Sequence, residues 1–220
     1  QGNDVVVREI QEKVRVVWLG NRYGGFFAAT QFLNKDSVVF SFGIGEDISF
    51  DTDLIKLTGC SIQGFDPTPK SIRWIEQNKA NLPDTFYFHS YGIDVKNGNT
   101  VFYLPENENY ISGSTMKKEQ MKKQGISVPM KKFRSICESL KKDYIDVVKM
   151  DIEGSEYSVI PDILSSGIKV KQILIEFHHR FFDDGFEKNK NIISLLNRSG
   201  YKIFAVSDSL EEVSFINLNY

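Results

Sequence analysis

The run Val38-Val39-Phe40-Ser41-Phe42-Gly43-Ile44-Gly45-Glu46-Asp47 begins as a short buried strand and closes on a glycine turn. A second run, Ile145-Asp146-Val147-Val148-Lys149-Met150-Asp151-Ile152-Glu153-Gly154-Ser155-Glu156, has the same form but closes on carboxylates. Short runs of β-branched and aromatic residues that pass directly into turns and then amphipathic stretches are the pattern of parallel strands covered by helices. Ligands bind such sheets beyond the carboxyl ends of the strands, where the strand order reverses. The two runs therefore predict a doubly wound α/β sheet with a site where their ends meet.

Reading outward, further strands are predicted over Ser61–Phe65, Thr85–Tyr91, Lys171–Phe177, Lys202–Ser207 and Val213–Leu218. Helices are predicted over Ile48–Thr58, Pro69–Asn78, Phe133–Lys141, Ser155–Ser165 and Glu187–Ser199, the last stopped by Gly200. The two strands after Gly200 leave no room for a crossover helix and should pair antiparallel, giving a parallel sheet with one reversed strand at its end. Residues 1–36 form an extension with Trp18, Tyr23, Gly24, Gly25, Phe26 and Phe27, placed to cover a sheet face or to close over a ligand. Residues 37–220 then form a single domain, interrupted by a polar insertion at about 105–129.

Composition sets the outer limits. With 41% hydrophobic residues in 220, the chain can bury a full core. Lys and Arg number 27 against 29 Asp and Glu, so no overall basic field draws nucleic acid or an acidic membrane, and neither partner is expected. Residues 117–143 are locally basic, with nine Lys or Arg against three acids; this is read as a solvated helix face, with an arm for an anionic acceptor as the sharper alternative. Cys60 and Cys137 are too far apart in sequence for a metal knuckle and suggest two reduced thiols. With no apolar leader or membrane-length run in view, a soluble cytoplasmic protein is expected.

Chemistry concentrates at the strand ends. Gly43 and Gly45 allow backbone to approach a ligand, and the helix that follows offers unpaired N–H groups. Asp66 ends the next strand, about twenty residues on, where an acid can bind both hydroxyls of a ribose. A dinucleotide turn would want a third glycine where Ile48 stands, which points instead to S-adenosylmethionine. Asp94 either meets the adenine edge or caps its own turn. Asp151 ends an apolar run at a position that needs a partner. Glu153 and Glu156 sit near a helix start, where negative charge is favoured; Glu156 fits plain capping as well as chemistry. Glu176, His178 and His179 end the neighbouring strand, and of the three histidines two lie there.

In order along the chain, Ser41-Phe42-Gly43-Ile44-Gly45-Glu46-Asp47, Gly64-Phe65-Asp66-Pro67-Thr68-Pro69-Lys70-Ser71-Ile72, Lys149-Met150-Asp151-Ile152-Glu153-Gly154-Ser155-Glu156 and Leu174-Ile175-Glu176-Phe177-His178 resemble the motifs of the FkbM family of S-adenosylmethionine-dependent methyltransferases. The resemblance implies the class I methyltransferase fold, a Rossmann-like sheet that is mostly parallel with one antiparallel C-terminal strand. It also implies methyl transfer, most often to a hydroxyl of a sugar or glycan-like acceptor. By position, Gly43 and Gly45 would flank the methionine part of the cofactor and Asp66 would hold its ribose. Ser41 and Pro67 belong to the same two motifs and join the expected contacts. The chain departs from the common class I motif at Ser41, where an acid is frequent, and at Asp47, where a third glycine is frequent.

The mechanism expected from these residues is in-line methyl transfer to a hydroxyl, with His178 as general base and Asp151 orienting it. Glu153 completes the catalytic set. Asp151, Glu153 and His178 also form an oxygen and nitrogen set that a divalent ion can use, although metal-free transfer is preferred. Ser112, Ser114 and His179 are candidate acceptor contacts. A nucleotide-dependent oxidoreductase and a catalytically silent cofactor- or glycan-binding module are the competing readings.

Overall fold

The computed structural model describes residues 9–102 and 125–220. The strands are β1 (Val17–Leu19), β2 (Phe26–Ala28), β3 (Val38–Phe42), β4 (Ser61–Phe65), β5 (Phe86–His89), β6 (Gly92–Ile93), β7 (Gly98–Phe102), β8 (Ile126–Lys131), β9 (Tyr144–Met150), β10 (Lys169–Glu176), β11 (Lys202–Val206) and β12 (Glu212–Ile216). The helices are α1 (Ser49–Thr58), α2 (Pro69–Asn78), α3 (Phe133–Ser139), α4 (Glu156–Ser165) and α5 (Gly185–Arg198).

Seven strands form the main sheet in the order β11-β12-β10-β9-β3-β4-β5. All run parallel except β12, which is antiparallel to both neighbours. This is the class I methyltransferase arrangement, with one difference from the expected layout. The reversed strand is not at the sheet's end but lies between β10 and β11, because β12 pairs with Gln172–Glu176 as well as with its hairpin partner.

Strand alternation sorts the core onto two faces. Phe40, Phe42, Val148, Met150, Ile173 and Ile175 pack with α3, α4 and α5 on one side. Val39, Ile62, Val147 and Leu174 pack on the other with Phe50 and Leu54 of α1. Fully burying each such side chain stabilises the fold by roughly 1.5–3 kcal/mol. Thr68 starts α2 by accepting a hydrogen bond from Ser71 N at 3.3 Å, with Pro69 in the first turn, where its missing N–H costs nothing.

The β1–β2 hairpin packs against β10, β11, β12 and α1, so the extension covers a sheet face. Its tip is also fixed over the start of α1. Asn21 Nδ2 donates to Asp47 Oδ2 at 2.5 Å, Asn21 N to Ser49 Oγ at 3.0 Å and Gly20 N to Asp53 Oδ2 at 3.0 Å. This accounts for Asp47 in place of a third glycine.

A second, three-stranded sheet, β6-β8-β7, was not expected. Pro129, which removes a ladder donor, argues against a strand there, yet Pro129 of β8 pairs with Asn99 of β7. The end of the expected 105–129 insertion is therefore strand; Ser112 and Ser114 lie outside the described residues. Cys60 and Cys137 are both buried and free. Among the described residues, no helix is long and apolar enough to cross a membrane.

Candidate active site

A cavity of about 360 Å³ opens at the carboxyl ends of β3, β4, β9 and β10, where the chain leaves β3 for one side of the sheet and returns through β9 on the other. Its walls include Gly43, Gly45, Asp66, Pro67, Asp151 and Glu153, which the sequence singles out. That volume suits a nucleoside-sized ligand.

The glycine turn is built by contact between strands. Gly43 N donates to Phe65 O at 3.0 Å and Asp151 N to Phe42 O at 3.0 Å, so β3, β4 and β9 stay zipped to their ends. Gly43 has φ +80, and a Cβ on it would lie 1.7 Å from Asp151 O. Glycine at 43 is therefore demanded first by the neighbouring strand, and the approach to a ligand comes second. Beneath the turn, Lys149 Nζ donates to Gly43 O at 3.0 Å. Lys149 is buried beside Ser41, its partner in register, and Asp51 of α1. Burial pushes the Asp51 carboxyl up, while the Lys149 charge works against that rise. Ser41 is sealed under the turn and does not reach the cavity, a correction to its expected place among the cofactor contacts. Lys149 opens the third motif, but its role emerges only from the β3–β9 register.

Asp66 is nearly buried, and burial raises its carboxyl above the usual range despite the bonds that work against this. Its Oδ2 accepts from Gly45 N at 2.9 Å, and its Oδ1 accepts from Thr68 N at 2.8 Å and Thr68 Oγ1 at 2.6 Å. These bonds fix the carboxylate across the turn, and its remaining lone pairs can accept from ligand hydroxyls. Gly92, Ile93, Phe102 and Met130 wall the far end. Asp94 is absent from that wall. Its Oδ1 accepts from Val95 N at 2.7 Å and its Oδ2 from Thr100 Oγ1 at 3.0 Å, so it caps its own turn. The adenine reading of Asp94 is corrected accordingly.

Opposite Asp66 stands a cage of acids around one imidazole. Nε2 of His178 lies 3.5 Å from Asp151 Oδ1, 3.5 Å from Glu153 Oε2 and 3.5 Å from Glu176 Oε1. Its Nδ1 lies 3.3 Å from Glu156 Oε1. His178 is 1% exposed and does not line the cavity, whereas Asp151, Glu153 and Glu176 do. Burial pulls its proton affinity down, but the bond and charge of Glu156, with the charges of Asp151 and Glu153, outweigh burial and lift it to about 9. Burial and the neighbouring Asp151 charge push Glu176 up to about 8.

At neutral pH His178 is thus an imidazolium, which lacks the lone pair a general base needs. This corrects the sequence expectation for His178. Asp151, Glu153 and His178 bring an oxygen, an oxygen and a nitrogen within 4.8 Å of one another. The trio could hold a divalent ion, which would have to displace the His178 proton to use that nitrogen. His179 sits in the turn after β10, away from the cavity wall, with a buried Nδ1; its expected contact with acceptor is not met. Tyr23, 87% exposed, and Arg180, paired with Glu211, stand at the rim.

The family model for the methyltransferase FkbM domain matches residues 37–203. This chain belongs to the FkbM methyltransferase domain family. The chain is also 23% identical over 199 residues to the human probable methyltransferase-like protein 24, covering 86% of this chain and 47% of that protein. The chain thus spans about half the length of its curated relative. Among solved structures, the fibrillarin/Nop5p complex shares the fold at 10% identity and a TM-score of 0.50, covering 83% of this chain and 72% of the other. An rRNA methylase from Streptococcus thermophilus aligns at 11% identity and a TM-score of 0.46, over 86% of this chain and 91% of the other.

Proposed function

We propose that this FkbM domain is an S-adenosylmethionine-dependent O-methyltransferase acting on a hydroxyl of a sugar, glycan or similar small acceptor. The observation that carries the reading is the cavity at the β3–β9 switch, with the pinned Asp66 at one wall and the Asp151–Glu153–Glu176 cage at the other. When bound, S-adenosylmethionine supplies a methyl group made electrophilic by a positively charged sulfur.

Asp66 would accept the ribose hydroxyls, with Pro67 beside it, and Ile93, Phe102 and Met130 would give the adenine an apolar bed. The Gly43–Gly45 turn would hold the methionine part. The carboxylates of Asp151 and Glu153 favour a cationic ligand at the opposite wall and accept hydrogen bonds from acceptor hydroxyls. Asp151 would take the hydroxyl proton, while the bound cofactor would supply the methyl group and keep the electron pair of its broken sulfur–carbon bond. His178 keeps its own proton and holds the three carboxyl groups around it in place; it positions rather than reacts. Alignment and exclusion of water supply most of the rate, because the methyl donor is already activated.

Calorimetric titration of the whole chain with S-adenosylmethionine, S-adenosylhomocysteine and NADH tests the cofactor. Binding of the first two and not the third is expected. A panel of neutral glycans scored for S-adenosylhomocysteine release tests the acceptor. Binding of NADH alone would instead favour an oxidoreductase. Tight cofactor binding with no transfer to any acceptor would favour a silent module.

A further inference from the structure

We propose that Glu156, which lies behind the cavity and touches no part of it, is the positioning residue that sets both Glu153 and His178. The consequence for methyl transfer rests on the function proposed above, but the arrangement itself stands on geometry alone.

Glu156 is the first residue of α4 and 0% exposed. An acid that merely caps a helix bonds to the N–H groups of its own first turn. Glu156 instead spans two loops. Its Oε2 accepts from Gly154 N at 2.9 Å, in the loop after β9. Its Oε1 accepts from His178 N at 2.7 Å and faces His178 Nδ1 at 3.3 Å, in the loop after β10.

The first bond holds an unusual turn. Glu153 has φ +54 and Gly154 φ +99, two successive left-handed residues, and only the second lacks a side chain. Backbone in this region persists where its surroundings enforce it. That turn carries the Glu153 carboxylate to 3.5 Å from His178 Nε2. The second bond fixes the ring. With Nδ1 directed at Glu156, Nε2 can only face Asp151, Glu153 and Glu176. Phe181 packs at 5.0 Å against the same ring. No other carboxylate reaches Nδ1 among the described residues.

Glutamine at 156 preserves volume but has one acceptor oxygen in place of two. Its NH₂ must confront either the Gly154 or the His178 N–H, so one loop is released. The negative charge on Nδ1 is lost as well.

The chain has three histidines, His89, His178 and His179, so ring-nitrogen spectra of ¹⁵N-histidine-labelled protein are readily assigned with His178→Gln. At pH 7.5 the wild type should show both His178 nitrogens carrying protons, with the Nδ1 proton protected from exchange with water. Glu156→Gln should lose the protection of the Nδ1 proton while His89, stacked on Phe65 at 4.8 Å, keeps its signals and reports an intact fold. An unchanged His178 pattern in folded Glu156→Gln overturns the proposal. Should that variant fail to fold, the wild type decides: a protected Nδ1 proton supports the proposal, and one exchanging as freely as in exposed imidazole overturns it. Calorimetry with S-adenosylmethionine on the same sample separates the two readings. The His178 pattern without cofactor binding keeps the positioning role and removes methyl transfer; binding without the pattern does the reverse.

Discussion

Gly43→Ala should destabilise the ligand-free domain, and the size of the loss distinguishes two reasons for having glycine there. If Gly43 serves only to admit a ligand, the variant folds normally and loses binding. The structure says otherwise, since the added Cβ would sit 1.7 Å from Asp151 O, well inside contact distance. A side chain at a left-handed φ costs about 1–2 kcal/mol. Wedging it between β3 and β9 adds about 1–3 kcal/mol of overpacking. Parting the strands there gives up the Asp151 N to Phe42 O bond, another ~1 kcal/mol.

The sum is about 3–6 kcal/mol, or a fall of about 6–24 °C in melting temperature for a domain of this size. Gly167→Ala supplies the control. It has the same φ of +80 but nothing within 4 Å of its Cβ, so only the conformational part applies, about 2–8 °C. Thermal melts followed by circular dichroism, without ligand, measure both. Two variants melting within about 2 °C of each other would refute the contact argument. So would a Gly43→Ala protein that melts like wild type.

Four further outcomes are expected. Asp66→Asn should weaken S-adenosylmethionine binding about tenfold or more by calorimetry, because a charge-assisted acceptor is lost; equal affinity would remove Asp66 from the ribose site. His178 holds its proton up to about 9 in the folded chain, above the ordinary imidazole value, so its stabilising contribution is complete below about pH 6.5 and is lost as pH rises through about 9. Glu176, raised to about 8, acts in the same direction, since the folded chain keeps a proton that the unfolded chain releases. The ligand-free melting temperature should therefore fall between pH 6.5 and 9, and less so in His178→Gln; a flat wild-type profile would contradict the cage. Dialysis against a chelator should leave cofactor affinity within about twofold, whereas restoration by added Mg²⁺ or Mn²⁺ would show that a metal displaces the His178 proton. Phosphorylated sugars should be poorer acceptors than their neutral parents, because among the described residues Asp47, Asp66, Asp151 and Glu153 line the cavity while its Arg180 is paired with Glu211; a preference for phosphate would sink this.

The fold was legible because its information is local. Each strand of the main sheet is a short apolar run flanked by turn residues, and Thr68-Pro69 and Gly200 mark helix ends by their own chemistry. The β6-β8-β7 sheet was not, because Pro129 reads against a strand even though the residues around it alternate. At the site, Asp66 and Asp151 could be placed because each directly ends a strand, and strand ends are where an open α/β sheet binds.

What could not be read were relations between strands. Ser41 looked like a contact and proved to be packing, because its neighbour in register is Lys149. His178 looked like a base, and would be one if only Asp151 were near. Four carboxylates from three segments converge on it, and the one at Nδ1 comes from 22 residues earlier, across a crossover whose helix phase no motif records. A histidine's chemistry is set by the sum of the charges around it. Sequence can say that an imidazole stands among acids, but whether it takes a proton or keeps one depends on how many of those acids the fold turns toward it.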